Sequence, residues 1–400
     1  MFYDKQPKEN QKNYKAMLTI IGSLSKIFSE SDVPYLYYRA HENIFAKYFG
    51  LINNSRSDDS ADAYSTVEKV GIGLKTWVGQ DNQKVAEFGR LRPTYANLKG
   101  MELIRLIAEY RNERIRVTKN VHGLDTLLYH IVKRTSGAMR IYETNFDPID
   151  IEHIIIDENR GNENSTYFSD GKHVYHFSLS KNTLYMIFED MELLDSFDVN
   201  IVEDPYDVLS DLMKKRQTET QTDENSVDVA LHQTFSAQNS LCLRLYSTKH
   251  DGTKFIAEKS GLNQWNGVRT QFRKGIKIGE KPRNPNELYI PYPAKDRKRG
   301  DFFPPRDEPF ELLLPNGQWI SAKVCQQGGK AIMSNPNETL GKWLLRDVFE
   351  LDEGTVVTYN MLQIFGIDSV MFTKLDSGKY SVDFCSLGTY EKFYKLNDNN

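Results

Sequence analysis

Cysteine is scarce in this 400-residue chain: Cys242, Cys325 and Cys385 are the only three, with no CxxC spacing and no tight Cys/His cluster. That pattern argues against a disulfide scaffold or a zinc knuckle and fits buried thiols in a reducing compartment. No stretch approaches the roughly 18 to 20 apolar residues that a membrane span requires. The start, MFYDKQPKENQKNYK, lacks the apolar core of a secretory leader, so the cytoplasm is the expected location and no membrane partner is expected. None of the eight histidines lies in an HxK or HNH-like setting, and no Walker loop, GxGxxG or Ser/His/Asp signature rises above background.

The chain also lacks an overall positive charge. Its formal net charge is −4, which taken alone argues weakly against a nucleic-acid partner. The distribution reverses that reading, because residues 1–240 sum to roughly −8 and residues 241–300 alone to roughly +9.

A chain of this length fits two domains better than one core. YKAMLTIIGSLSKIFS has helical apolar spacing, and YLYYRAHENIFAKYFG reads as a second helix closed by Gly50. TVEKVGIGLKTWV predicts a strand. DNQKVAEFGRL, with Asp81 as N-cap, and TYANLKGMELIRLIAEYRNERIRV predict helices. From 138 to 189 the texture becomes short β runs, with SDGK at 169–172 as a hairpin turn. KKRQTETQTDENSVD is polar and free of aromatics, the composition of a solvated linker, so the expected division is 1–213, a linker at 214–236, and 237–400. Beyond it LCLRLYS, ELYIPYP, FELLLPNG, ISAKVCQ, TVVTYNML, SVMFTKL and YSVDFC have the rhythm of a small β-barrel or sandwich.

Chemistry in the first part centres on an acid-rich loop, SRSDDSADAY, followed by GIGLKTWVGQDNQKVAEF. Carboxylates can hold a divalent cation, and a nearby ammonium can orient water and oppose charge developing on phosphorus. Side chains two apart on a strand share a face. The order resembles nucleases of the PD-(D/E)XK fold, which place an Asp at one strand start and an acid-x-Lys pair on the next. Here Lys75 is present, but Gly73 stands where the second acid belongs. The resemblance therefore implies a migrated glutamate, Glu87, expected on the following helix. Asp62 and Glu87 would bind Mg²⁺, Lys75 would position water, and Glu42 on the preceding helix would support the site. Solvated loop and surface-helix charges are the bland alternative for the same residues.

In the second part SGLNQWN, NPNELYIPYP, FFPPRDEPFELLLPNG, AKVCQQGGKAIMSNPNETLGKWLLRDV and TYNMLQIFGIDSVMFTKL together resemble the C-terminal DNA-recognition domain of the NgoFVII family of restriction endonucleases, over about residues 238–393. The resemblance implies an all-β B-three-like pseudobarrel whose two arms clasp the major groove of double-stranded DNA. One arm would carry Asn263, Gln264, Asn266, Arg269, Arg273 and Lys274. The other would carry Lys330, Ser334, Asn335, Lys342 and Arg346, with Trp343 and Leu344 in the core. Members of that family join this domain to a phospholipase-D-like nuclease with HxK motifs, and residues 1–237 contain none. The expectation is thus an α/β, PD-(D/E)XK-like nuclease followed by a B-three-like domain: a type II-like, Mg²⁺-dependent restriction endonuclease, acting as a homodimer. A non-catalytic DNA-binding regulator and an endonuclease specific for modified cytosine are the rival readings. A cognate DNA methyltransferase partner is left open.

Overall fold

The computed structural model describes residues 1–54, 59–189, 191–219, 239–274, 276–297 and 302–397. It divides into two compact units, Met1–Arg56 with Ser60–Asn112 and Leu124–Leu231, and Ser57–Asp59 with Glu113–Gly123 and His232–Asn400.

The first unit opens with α1 (Phe2–Lys5), α2 (Lys8–Ser23) and α3 (Tyr38–Phe49). Gly50 closes α3 at φ 66°, the left-handed conformation that a side chain resists, as the YFG signal predicts. Strands β1 (Ile52–Asn53), β2 (Ala63–Ser65), β3 (Val70–Val78) and β4 (Asn82–Glu87) precede α4 (Arg92–Tyr95) and α5 (Gly100–His122), whose residues from Glu113 on count with the second unit. Then follow β5 (Thr126–Thr135), β6 (Ala138–Asn145), β7 (Ile155–Asn162), β8 (Ser165–Ser169), β9 (Val174–Ser178), β10 (Thr183–Ile187), β11 (Glu192–Asp198) and α6 (Pro205–Glu219). Among the described residues one sheet runs β1-β2-β3-β5-β6-β11 and a second runs β4-β10-β9-β8-β7. β3 pairs parallel with β5 and antiparallel with β2. Its alternation has a clear consequence: Val70, Ile72 and Leu74 bury against Tyr14, Phe45 and Phe49 of α2 and α3, while Gly71, Gly73 and Lys75 face the other way.

Two expectations need correction. Residues 82–87 are a strand, not a helix, because they pair with β10 from Glu87 opposite Thr183 to Asn82 opposite Ile187. Asp81 caps no helix; it accepts from Trp77 Nε1 at 3.0 Å and pairs with Lys133 at 2.7 Å. The expected linker begins inside α6, and its residues 220–236 lie outside those described.

A polar chain crosses the first core. Tyr14 hydroxyl sits 2.8 Å from His41 Nε2 and 3.0 Å from His130 Nε2, and His130 Nδ1 meets Glu143 Oε1 at 3.0 Å. Glu143 also accepts from the Tyr3 amide. Burial, then the neighbouring His130 and Arg134, hold the His41 imidazole well below its ordinary value. The unfolded chain therefore binds the proton first, and stability should fall as pH drops below ~6.5, at up to ~1.4 kcal/mol per pH unit from this site. Urea midpoints at pH 7 and pH 5 check this: a fall that shrinks in His41→Gln is expected, and identical pH dependence in both proteins would contradict it.

The second unit is built on β12 (Ser240–Arg244), the short ribbon β13 (Ser247–Thr248) and β14 (Lys254–Phe255), the hairpin β15 (Val268–Arg273) and β16 (Ile276–Pro282), and β17 (Ile290–Pro291). After α7 (Ala294–Arg297) come β18 (Pro309–Leu313), β19 (Trp319–Cys325), β20 (Ala331–Ser334), α8 (Thr339–Gly341), α9 (Tyr359–Phe365), β21 (Ile367–Asp376), β22 (Lys379–Ser386) and α10 (Thr389–Asn397). Among the described residues, the sheet order is β12-β21-β22-β18-β19-β20-β17. Its two end strands touch, so the sheet nearly closes into a barrel around Leu243, Leu312, Ile332, Val370 and Phe372. TVVTYNML, expected as a β run, instead starts α9, where Thr358 Oγ1 accepts from the Met361 amide as an N-cap. The three cysteines are buried and free, and among the described residues no helix is long and apolar enough to cross a membrane.

Candidate functional site

Of the four residues expected in the first unit's centre, Asp62 and Glu42 act electrostatically on a third, Lys75. Asp62 stands just before β2, where its amide donates to Ile72 O at 2.9 Å and its Oδ2 accepts from the Leu74 amide at 2.6 Å. The β2–β3 register continues to place Asp62 opposite Gly73, on the face that Lys75 shares. Glu42 is buried on α3 and pairs with Arg39 at 3.2 Å. Burial pulls the Lys75 ammonium below its ordinary value; Asp62 and Glu42 oppose that shift, while Arg111 and Lys84 reinforce it. A lysine balanced this way gives up its proton more readily than an exposed one. Glu87 lies on strand β4, its side chain about half exposed, and pairs with Lys84 at 2.5 Å.

Gly73 has a packing explanation. A Cβ there would lie 2.9 Å from the Tyr129 ring and 3.0 Å from Phe146, and these two rings stack at 4.0 Å with only 8° between planes. The position that would carry the strand's acid is therefore pressed against an aromatic pair. Lys75 Nζ lies 6.0 Å from the Tyr129 ring centroid, and buried Arg111 donates to Tyr129 hydroxyl at 2.8 Å while its guanidinium lies 4.8 Å from the Phe146 ring. Arg111 and Tyr129 were missed by reading motifs. The signal available for Tyr129 was the apolar, β-branched run TLLYHIVKRT just after the helix.

In the second unit the residues expected to read DNA separate into two groups. Some are committed within the unit. Asn263 is fully buried, donating to Val357 O at 2.9 Å and accepting from the Val357 amide at 2.8 Å. Gln264 donates to Glu287 at 2.8 Å, and Ser334 accepts from the Leu340 amide at 2.9 Å. Arg346 spends its guanidinium on Asn286 Oδ1, Leu351 O and Pro285 O at 2.7–2.9 Å. Asn266 donates to Glu258 O at 3.0 Å, and Arg269 pairs with Glu287 at 3.1 Å while staying about half exposed. Trp343 is buried, as the core reading expected. Arg273, Lys274, Lys330, Asn335 and Lys342 are exposed.

Among the described residues the β15–β16 hairpin pairs only with itself, and it carries much of this positive charge. Its register sets Arg269 opposite Lys281, Gln271 opposite Gly279 and Arg273 opposite Ile276, with a bulge between. Opposed residues share a face, so one side of the ribbon collects Arg269, Gln271, Arg273 and Lys281. Val268, Ile276 and Ile278 are more than half exposed on the same ribbon. A two-stranded ribbon is narrow enough to enter a major groove.

Residues 234–376 match the NgoFVII C-terminal B3-like DNA-binding domain. The match covers less than half of the chain and lies wholly in the second part, close to the range that its motifs predict. It supports DNA as a partner of the barrel and leaves the first unit unassigned. No curated protein matches the chain.

Proposed function

We propose that the chain is a sequence-specific DNA endonuclease, with the barrel unit reading duplex DNA and the first unit hydrolysing it. The observation that supports this reading is that Asp62 stands on the strand face Lys75 shares, and that Asp62 and Glu42 both favour the charge of the buried Lys75 ammonium. The order of helix with Glu42, Asp62 at a strand start and Lys75 on the next strand is the one that the PD-(D/E)XK resemblance implies. In this reading Lys75 orients the attacking water, Asp62 is fixed by β3's backbone, and Arg111 positions Tyr129 beneath the lysine.

Two carboxylates suit an ion of the Mg²⁺ kind, which keeps several waters and commonly takes only one or two protein carboxylates. Asp62 and Glu42 would hold it; when bound, such an ion supplies charge stabilisation and a more acidic water. Glu87, engaged with Lys84 on a strand, is the weaker candidate for a ligand. Cleavage of both strands would call on a second centre, as a homodimer would supply, or on two successive nicks.

A second reading, a non-catalytic DNA-binding regulator, is favoured by one specific fact. Among the described residues no group of three His, Cys, Asp or Glu side chains is placed to hold a metal ion. Incubating the purified chain with unmodified and cytosine-modified phage DNA, with Mg²⁺ or EDTA, tests the proposal. Discrete fragments that require the ion are expected, and intact DNA that is nonetheless bound favours the regulator.

The hairpin reading has its own check. Replacing Arg273 and Lys274 by alanine should weaken duplex binding and reduce the steepness of its salt dependence by about 0.9 for each phosphate that the two cations neutralise. An unchanged salt slope would remove the hairpin tip from the interface.

A further inference from the structure

Aromatic side chains are unusually open around the start of α3. Phe28 is 63 %, Tyr37 47 % and Tyr38 50 % exposed. They lie in two touching pairs, Phe28 on Tyr35 with ring centroids 4.8 Å apart and Tyr37 on Tyr38 at 4.6 Å. Single exposed apolar residues need no explanation, but a cluster of them marks a surface that another molecule covers. What sets this cluster apart is the charge beside it. The Arg39 guanidinium lies 5.2 Å from the Tyr38 ring centroid and reaches Glu42 at 3.2 Å. Tyr38 and Glu42 are four residues apart on one helix and so share its face. Hydrogen bonding to Tyr37 and then Arg39 lowers the Tyr38 phenol from its ordinary value, while Glu42 works against that shift. Tyr37, Tyr38, Arg39 and Glu42, a buried acid of the candidate centre, thus form one continuous run.

We propose that Tyr37, Tyr38 and Arg39 grip the DNA strand next to the phosphate being cut, the phenol and guanidinium groups taking a backbone phosphate and the rings lying against the adjoining sugar. Hydroxyl and guanidinium donors suit phosphate oxygens, and exposed rings set beside such donors suit an anionic chain with apolar sugars. The inference rests on the reading that the first unit acts on DNA, and it names the residues by which that unit holds its substrate.

Tyrosine nitration with tetranitromethane, mapped by peptide mass spectrometry with and without an unmodified duplex, tests it on the full chain. Tyr206, 61 % exposed on α6, serves as the internal reference. Protection of Tyr37 and Tyr38 by DNA, with Tyr206 still nitrated, is expected. In addition, Arg39→Gln should lower the salt slope of binding by about 0.9, the value for one neutralised phosphate. If a mobility shift shows the duplex bound while Tyr37 and Tyr38 stay as reactive as before, the grip is wrong and DNA binding by the barrel stands. If no duplex binds at all, the DNA-binding reading fails and takes the grip with it. Protection without cleavage would keep the grip and count against the hydrolytic centre alone.

Discussion

Lys75→Ala is expected to slow DNA cleavage by about 10²–10³-fold, the usual effect of removing one preorganised group that stabilises developing charge. DNA affinity should stay within about twofold, because the proposed reading assigns recognition to the barrel and its hairpin. The separation follows from assignment: Lys75 sits on β3 of the first unit, where Asp62 and Glu42 favour its charge, while the exposed cations of the ribbon belong to the second unit. A lysine needed only for packing would produce a different pattern, a lower unfolding midpoint with activity per folded molecule preserved. Measuring cleavage rate, duplex affinity and urea midpoint on the same preparation distinguishes the two. Lys75→Arg adds a further check, since a bulkier, permanently charged guanidinium keeps the charge and loses the ammonium's geometry; substantial loss of cleavage is expected there also.

Gly73→Asp, which would write the missing acid back into the strand, should destabilise the first unit by about 2–4 kcal/mol. The new Cβ would stand 2.9 Å from Tyr129 and 3.0 Å from Phe146, and neither ring can yield easily. Both rings are buried, Tyr129 is tied to Arg111, and the pair is stacked. The added carboxylate would also face Asp62 across the β2–β3 register, like charge against like. A Gly73→Asp protein as stable as the parent, with faster or more metal-responsive cleavage, would show that the strand has room for its acid. Gly73→Ala should lose less, because it brings the close approach without the charge.

Much of the architecture was legible in the chain. The YFG stop of α3, the β-branched run of β3 and the SDGK turn between β8 and β9 are local signals, and each stands where the sequence placed it. Strand β4 was not legible, because DNQKVAE is polar and its pairing partner β10 lies far along the chain. Such a strand owes its form to hydrogen bonds that no nearby residue announces. The helix α9 was misread for a different reason: VVTYN is β-branched, but the Thr358 cap and Gly366 at φ 84° bracket one helical stretch. The proposed centre of Asp62, Lys75 and Glu42 rests on order along the chain, whereas the hydrogen bond of Arg111 to Tyr129 could not be read that way, since it depends on α5 bringing Arg111 to β5. In the barrel, residue type was a poor guide to role. Asn263 and Arg346 are the kinds of residue that read bases, yet both are consumed in holding loops to the barrel unit.

The most direct measurement compares the wild-type chain with Asp62→Asn on one unmodified duplex substrate, following cleavage in Mg²⁺ and in EDTA together with binding at matched salt. Asn keeps the size of the side chain and an oxygen to accept from the Leu74 amide, so the fold should persist. Discrete fragments are expected from the wild type in Mg²⁺, with none in EDTA and none from Asp62→Asn despite equal DNA binding. Equal cleavage by both proteins, or tight binding with intact DNA in every condition and on modified substrate as well, would contradict a hydrolytic centre built on Asp62 and Lys75.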